Sequence, residues 1–329
     1  MTIAADTSTA AAVGSARPDL ETRLGRLGLK NPIMPASGCF GPELGAFFPL
    51  DALGAMVTKT VFAQRRPGNP TERISDLYTG AINSVGIPSP GLDGFVADLL
   101  PRYRQAGAPL IISVGGLVPD EYATLVRALD AIHAADAYEL NFSCPNLNHG
   151  GMIGSDPAEV AATTARVRSL TDAPLLVKLT PVTVSIAATA AAAERGGADA
   201  VTVCNSFPAL AIDADRRTPV LGNVTGGYSG RAVKPLALKL VHDAAAAVSI
   251  PVVGCGGIAT GRDAAEFLLA GARAVQVGTA NFSDPAAMPR IIRELEEFAA
   301  AQHIAAVDEL VGGLQAEPAS VLGLRSTAC

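Results

Sequence analysis

Eight short, nearly continuous apolar runs separated by alanine-rich amphipathic stretches narrow the fold more than any other feature. The runs cover 32–35, 56–61, 110–114, 138–142, 175–179, 200–204, 251–254 and 274–277. Strands buried on both faces lose polar alternation in this way. Between many of them the spacing predicts helices over 120–135, 157–170, 184–195, 232–248 and 261–270. Asp156-Pro157 supplies an N-cap followed by proline at the first helical position. Gly196-Gly197 and Gly271 stand where helices end on a left-handed residue.

Eight β/α units predict a (β/α)8 TIM barrel, with a doubly wound open sheet as the alternative. The polar residues favour the barrel. Lys59, Ser113, Asn141, Lys178, Asn205, Gly256 and Gly278 fall at or just past the C-terminal ends of strands. In a barrel those ends converge on one mouth. Two inserts, 63–100 and 207–231, are long enough to cover such a mouth. Length alone allows roughly two domains. The unbroken alternation instead predicts one body over 21–315, with tails at 1–20 and 316–329.

Composition removes several function classes. Hydrophobic residues form 49% of the 329 and charged residues 17%, which excludes a disordered polymer. The net charge of −6 argues against nucleic acid as a partner. The longest apolar stretches are too short to span a membrane. The first 18 residues carry Asp6 and lack a basic start, unlike a signal peptide. Five cysteines (Cys39, Cys144, Cys204, Cys255 and Cys329) without a C-x-x-C fit a reducing cytoplasm better than a disulfide, zinc or iron–sulfur framework.

Four motifs carry chemistry. Asn141-Phe142-Ser143-Cys144-Pro145-Asn146 places a thiol among amides just after a strand. It is either a turn with a buried cysteine or a proton-abstracting thiol beside a planar polar substrate. Thr58-Lys59-Thr60 and Val177-Lys178-Leu179 put ammonium groups between apolar flanks, where each needs a structural ion-pair partner or an anionic ligand. Gly254-Cys255-Gly256-Gly257 and, one unit later, Gly278-Thr279 form a phosphate-type cradle after the last two strands. Gly254-x-Gly256-x-x-Ala259 imitates a dinucleotide fingerprint. That pattern wants an acid ending the next strand, which here ends Gln276-Val277-Gly278-Thr279. A single-phosphate cofactor is therefore expected. Asn83-Ser84-Val85-Gly86-Ile87 is either an ordinary turn-rich loop or a cradle for a carboxylate or carbonyl, and Asn205-Ser206 offers similar groups. The four histidines lack zinc-ligand spacing, and there is no nucleophile-elbow serine. Together the motifs suit a flavin mononucleotide enzyme acting on a planar acid.

The ordered motifs NPIMPASGCFG, TKTV, GNPTERI, NSVGIPSPG, NFSCPN, VKLTP, GGYSGRAVKP, GCGGI and AVQVGTANF resemble the catalytic subunits of the dihydroorotate dehydrogenase family, from about Leu24 to Leu314. Cys144 contrasts with the serine of the quinone-linked branches, and NHGGMIGSDP resembles the NAD-linked two-subunit branch, class 1B, not the fumarate-linked one. The resemblance implies oxidation of (S)-dihydroorotate to orotate in pyrimidine biosynthesis, with Cys144 taking the C5 proton and the C6 hydride passing to FMN. It further implies one FMN per chain and a homodimer of this chain. An electron-transfer partner subunit carrying FAD and a [2Fe–2S] cluster would complete a heterotetramer.

By the same resemblance the cofactor meets Ser37, Lys59, Thr60, Asn141, Lys178, Cys204, Gly230, Gly256, Gly257, Gly278 and Thr279. The substrate meets Lys59, Asn83, Ser84, Val85, Gly86, Ile87, Asn141, Asn146, Asn205 and Ser206. Ser113 stands where relatives often carry asparagine, and Pro88-Ser89 and Phe207-Pro208 also depart from the family pattern. A dihydropyrimidine dehydrogenase-like barrel, a fumarate-linked dihydroorotate dehydrogenase and a non-catalytic flavin-binding protein are the alternatives.

Overall fold

A computed structural model describes residues 17–142 and 153–315. The expected barrel is borne out. Its strands are β1 (Ile33–Pro35), β2 (Met56–Val57), β3 (Leu110–Val114), β4 (Ala137–Asn141), β5 (Leu175–Lys178), β6 (Ala200–Val203), β7 (Val252–Cys255) and β8 (Ala272–Val277). They form one parallel sheet in the order β1-β8-β7-β6-β5-β4-β3-β2. The sheet nearly closes where the Gly54 N–H donates to the Ile33 carbonyl at 2.9 Å. A Cβ on Gly54 would lie 2.1 Å from the Asn31 carbonyl oxygen, so only glycine permits this approach.

The second apolar run was expected to continue to Val61, and in part it does. The Thr58 N–H donates to the Ile111 carbonyl and the Val61 N–H to that of Ser113. Between them the Ser113 N–H is taken by the Thr58 hydroxyl at 3.1 Å, which interrupts the backbone ladder.

The helices Pro119–Asp130, Pro157–Arg168, Ile186–Arg195, Lys234–Ala245 and Gly261–Leu269 match the expected segments and mostly end earlier. Asp156 caps its helix through the Ala158 N–H. Gly197 and Gly271 adopt φ of 89° and 107°. The two longest helical segments outside the expectation are Ala287–Ala301 and the stretch 91–104. Pro289 sits in the first turn of Ala287–Ala301, where its missing N–H costs nothing. Gly91–Gly94, a wide turn over Phe95–Leu99 and Leu100–Arg104 form a second, despite two glycines and Pro101. Buried Phe95, Leu100 and Tyr103 secure it. Among the described residues no helix is long and apolar enough to cross a membrane.

A hairpin, Thr22–Leu24 with Leu27–Leu29, closes the N-terminal end of the barrel. Its three leucines join Met34, Val57, Ile111, Ala137, Leu176, Ala200, Val253 and Ala274 in one apolar cluster. At the other end the two inserts meet. Phe207–Leu210, Thr225–Ser229, Gly80–Asn83 and Ile74–Leu77 form a four-stranded antiparallel sheet.

One polar cluster outside the mouth bears on stability. The Asp263 carboxylate accepts the N–H groups of Ala259 and Thr260 at 3.0 and 2.9 Å and the Lys234 ammonium at 2.7 Å. Burial alone would raise this carboxyl. Lys234, the Ala259 N–H and Thr260 outweigh burial and hold it below its ordinary 3.8. A depressed folded pKa gives stability that is full above the ordinary value and lost as pH falls through the folded one. Asp263→Ala is expected to cost about 1–3 kcal/mol at pH 7. The difference in urea midpoint from wild type should shrink at pH 3, and equal midpoints at pH 7 would contradict the assignment.

Candidate active site

Alternation along the strands builds the mouth. Side chains two residues apart share a face. The residues of the lower apolar cluster are therefore followed, towards the C-terminal end, by inward-facing partners. Val57 leads to Lys59, Ile111 to Ser113 and Ala137 to Glu139 and Asn141. Leu176 leads to Lys178, Ala200 to Thr202 and Cys204, Val253 to Cys255, and Ala274 to Gln276 and Gly278. The sequence thus turns an apolar barrel floor into a polar rim within one or two repeats.

That rim opens into a cleft of 1490 Å³ between the strand ends and the antiparallel cap. A single small-molecule site usually occupies roughly 300–1,000 Å³, so this volume accommodates a nucleotide and a second small ligand. Ser37, Lys59, Thr60, Asn141, Lys178, Cys204, Gly230, Gly256, Gly257, Gly278 and Thr279 all line it. So do Asn83, Ser84, Val85, Gly86, Ile87, Asn205 and Ser206. Cys144 and Asn146 lie outside the described residues.

A chain of hydroxyls and an amide runs under one side. Thr60 Oγ1 lies 3.0 Å from both Ser37 Oγ and Ser113 Oγ and accepts from Asn141 Nδ2 at 3.0 Å. Ser113 is fully buried there, which gives it a structural place that the sequence left open.

The two lysines differ. Lys59 is half-buried, and among the described residues no carboxylate lies within ion-pair distance of it. Burial pushes its ammonium down, against an upward pull from Cys39, and Arg73 adds to the lowering. Lys178 is 4% exposed and donates to Gln276 Oε1 at 2.7 Å. Burial is the largest single influence and opposes its charge. Cys255, Glu139, Cys39 and Cys204 together hold it above its ordinary value.

Burial pushes all three described thiols up, Cys39 to about 11 despite the two lysines. They remain protonated at neutral pH and are poor bases.

The cradle at the far end is backbone-rich. Gly230, Gly256 and Gly257 adopt φ of 106°, 135° and 80°. Thr279 Oγ1 donates to Ser229 Oγ at 2.9 Å, tying the loop after β8 to the cap. Ser229 was not anticipated, because only the cap pairing brings it here.

The 83–87 loop is fixed by residues that sequence reasoning also passed over. Asn69 Nδ2 donates to Ser84 Oγ at 2.8 Å, and the Asn69 N–H donates to the Val85 carbonyl. The Ser84 N–H donates to the Arg73 carbonyl. Both partners stand in GNPTERI, where the Asn69 amide was the available signal. At φ 74° a Cβ on Gly86 would lie 2.5 Å from the Asn69 nitrogen. Across the cleft the Ser206 N–H donates to Asn205 Oδ1 at 2.7 Å.

A sequence profile described as Dihydroorotate dehydrogenase matches residues 19–299. The protein named "Dihydroorotate dehydrogenase B (NAD(+)), catalytic subunit" in Geobacter sulfurreducens is 45% identical over 302 residues, covering 91% of this chain and 99% of the relative. A protein of the same name in Trichlorobacter lovleyi is also 45% identical over the same shares. Another, in Desulforudis audaxviator, is 46% identical over 87% of this chain and 94% of its own length. With the barrel and its cleft already in place, this near full-length similarity settles the relationship: the chain belongs to the dihydroorotate dehydrogenase family, on its NAD-linked class 1B branch.

Proposed function

We propose that this chain oxidises (S)-dihydroorotate to orotate in pyrimidine biosynthesis, using FMN held in the cleft. The observation that carries this reading is the convergence of Lys59, which lacks a carboxylate partner among the described residues, with Asn83, Asn141 and Asn205 on one cleft. An ammonium and three amides suit a planar, amide-rich carboxylate.

The residues present fit FMN. The positive-φ glycines at 256 and 257, whose missing Cβ atoms would meet Ala237 and Lys234, turn the backbone along the cleft, and Gly278-Thr279 and Gly230 line it beside them, a backbone-rich wall suited to a phosphate. No acidic side chain ends β8, where a dinucleotide ribose would want one. Ser37, Thr60, Asn141, Lys178 and the Cys204 backbone, all lining the cleft, would hold the ring. When bound, FMN supplies the acceptor for the hydride leaving C6 of the substrate.

The chain does the rest. Lys59 holds the substrate carboxylate. The amides of Asn83, Asn141, Asn146 and Asn205, the Ser84 and Ser206 hydroxyls and the Val85–Gly86–Ile87 backbone orient the ring. Cys144 accepts the proton from C5 as the double bond forms between C5 and C6. The buried Lys178 ammonium would supply electrostatic stabilisation to negative charge on the bound group. A partner subunit carrying FAD and a [2Fe–2S] cluster would supply the route for electrons to NAD. The assembly is a heterotetramer built on a homodimer of this chain, in the cytoplasm.

The assignment is tested by titrating the flavin-loaded protein with orotate and with uracil. Orotate is expected to perturb the flavin spectrum, and a response to uracil alone would contradict the reading. A pH dependence follows from Lys59. Its lowered pKa places loss of the ammonium below the ordinary 10.5. Orotate affinity is therefore expected to fall as pH rises through that lowered value, and a Kd unchanged up to pH 10.5 would remove Lys59 from the carboxylate site.

A further inference from the structure

Beneath the mouth lies a polar layer where barrel strands usually contribute branched apolar side chains. Glu139 on β4, Thr202 on β6 and Gln276 on β8 are each 0% exposed. Thr202 Oγ1 donates to Glu139 Oε2 at 2.9 Å and Gln276 Nε2 donates to the same oxygen at 2.6 Å. Gln276 Oε1 in turn accepts from Lys178 Nζ at 2.7 Å. Glu139 Oε1 has no hydrogen-bond partner among the described residues.

The Gln276 amide can make both bonds in one orientation only. Reversed, its NH2 would face an ammonium and its oxygen a carboxylate. It therefore links the two charged groups with its dipole aligned between them. The groups acting on Lys178 come from every side: Cys39 after β1, Cys204 after β6, Cys255 on β7 and Glu139 on β4. The three thiols are protonated at neutral pH, which leaves Glu139, accepting two hydrogen bonds on Oε2, as the carboxyl group among them. A carboxylate buried this deeply is expensive unless it has a charged counterpart, and the amide relay leads to one.

We propose that Glu139 is a positioning residue of the active site: acting through the amide of Gln276, it keeps Lys178 charged and its Nζ fixed at the mouth end of β5. Its importance for redox chemistry rests on the FMN reading above, but the state of Lys178 is a property of this chain alone.

The test is competitive acetylation of the folded, flavin-free protein across a pH series, read by mass spectrometry, with exposed Lys30 as internal reference. Glu139→Gln preserves shape and removes the charge. It is expected to lower the pH of half-maximal Lys178 labelling by about one unit or more, a roughly tenfold change in the protonation equilibrium. Thr202→Val, which removes a hydrogen bond but no charge, should leave that midpoint in place. A Glu139→Gln midpoint matching wild type would overturn the proposal, as would an equal shift in Thr202→Val. Should Glu139→Gln fail to fold, Gln276→Leu breaks the relay and is expected to shift the midpoint in the same direction; an unchanged midpoint there would overturn it equally. Flavin content of the wild-type protein is measured separately. A chain that binds no FMN contradicts the proposed function and leaves the labelling result standing.

Discussion

Cys144→Ala is expected to slow flavin reduction by dihydroorotate by about 10²–10⁴-fold, the usual contribution of a positioned general base, while orotate still binds. Three observations support so large an effect. Inward register on β4 runs Ala137, Glu139, Asn141 and so delivers the chain to the mouth three residues before Cys144. The described thiols bordering the cleft, Cys39, Cys204 and Cys255, are all pushed up by burial and cannot substitute. No histidine is among the residues lining the described cleft. Stopped-flow reduction with dihydroorotate checks the prediction. A rate within threefold of wild type would transfer the base role elsewhere.

Lys178→Ala carries the second large effect, and it divides into two parts. Loss of an electrostatic donor aimed at developing charge typically costs about 10²–10³-fold in rate. Removing one member of a buried charged pair also destabilises the fold by about 3–5 kcal/mol, because the other charge is left unpaired. Here that group is Glu139, fully buried and, among the described residues, already without a hydrogen-bond partner on Oε1. The double variant Lys178→Ala/Glu139→Gln should therefore recover much of the stability and none of the rate. Urea unfolding and stopped-flow reduction on the same preparations separate the two. Recovery of rate in the double variant would show that the single variant's defect was one of folding alone.

Much of the fold could be read from the chain because burial on both faces leaves so plain a trace. The apolar runs at 110–114 and 175–179 became β3 and β5 nearly residue for residue. The period of two then carried Lys59 and Lys178 to the same mouth as Asn141. What escaped sequence reading depends on contacts distant along the chain. The cap sheet pairs Asn83 with Gly227, and its outer strand Ile74–Leu77 is mostly exposed, with no alternation to mark it. Ser229 reaches Thr279 only through that pairing. The segment 91–104 is helical because Phe95 and Tyr103 find the core, against the preference of its glycines and proline. Glu139 was hidden inside an apolar run, and Gln276 drew notice only as the place where an acid was missing. Their significance lies in a hydrogen bond spanning 137 residues.

Under the proposed function, dihydroorotate bound in this cleft gives up a hydride to bound flavin. Anaerobic single-turnover mixing of the flavin-loaded protein with one equivalent of dihydroorotate tests it most directly. The visible flavin band is expected to bleach, with one orotate formed per flavin reduced. A flavin that stays oxidised, or that uracil-type dihydropyrimidines reduce equally well, would contradict it.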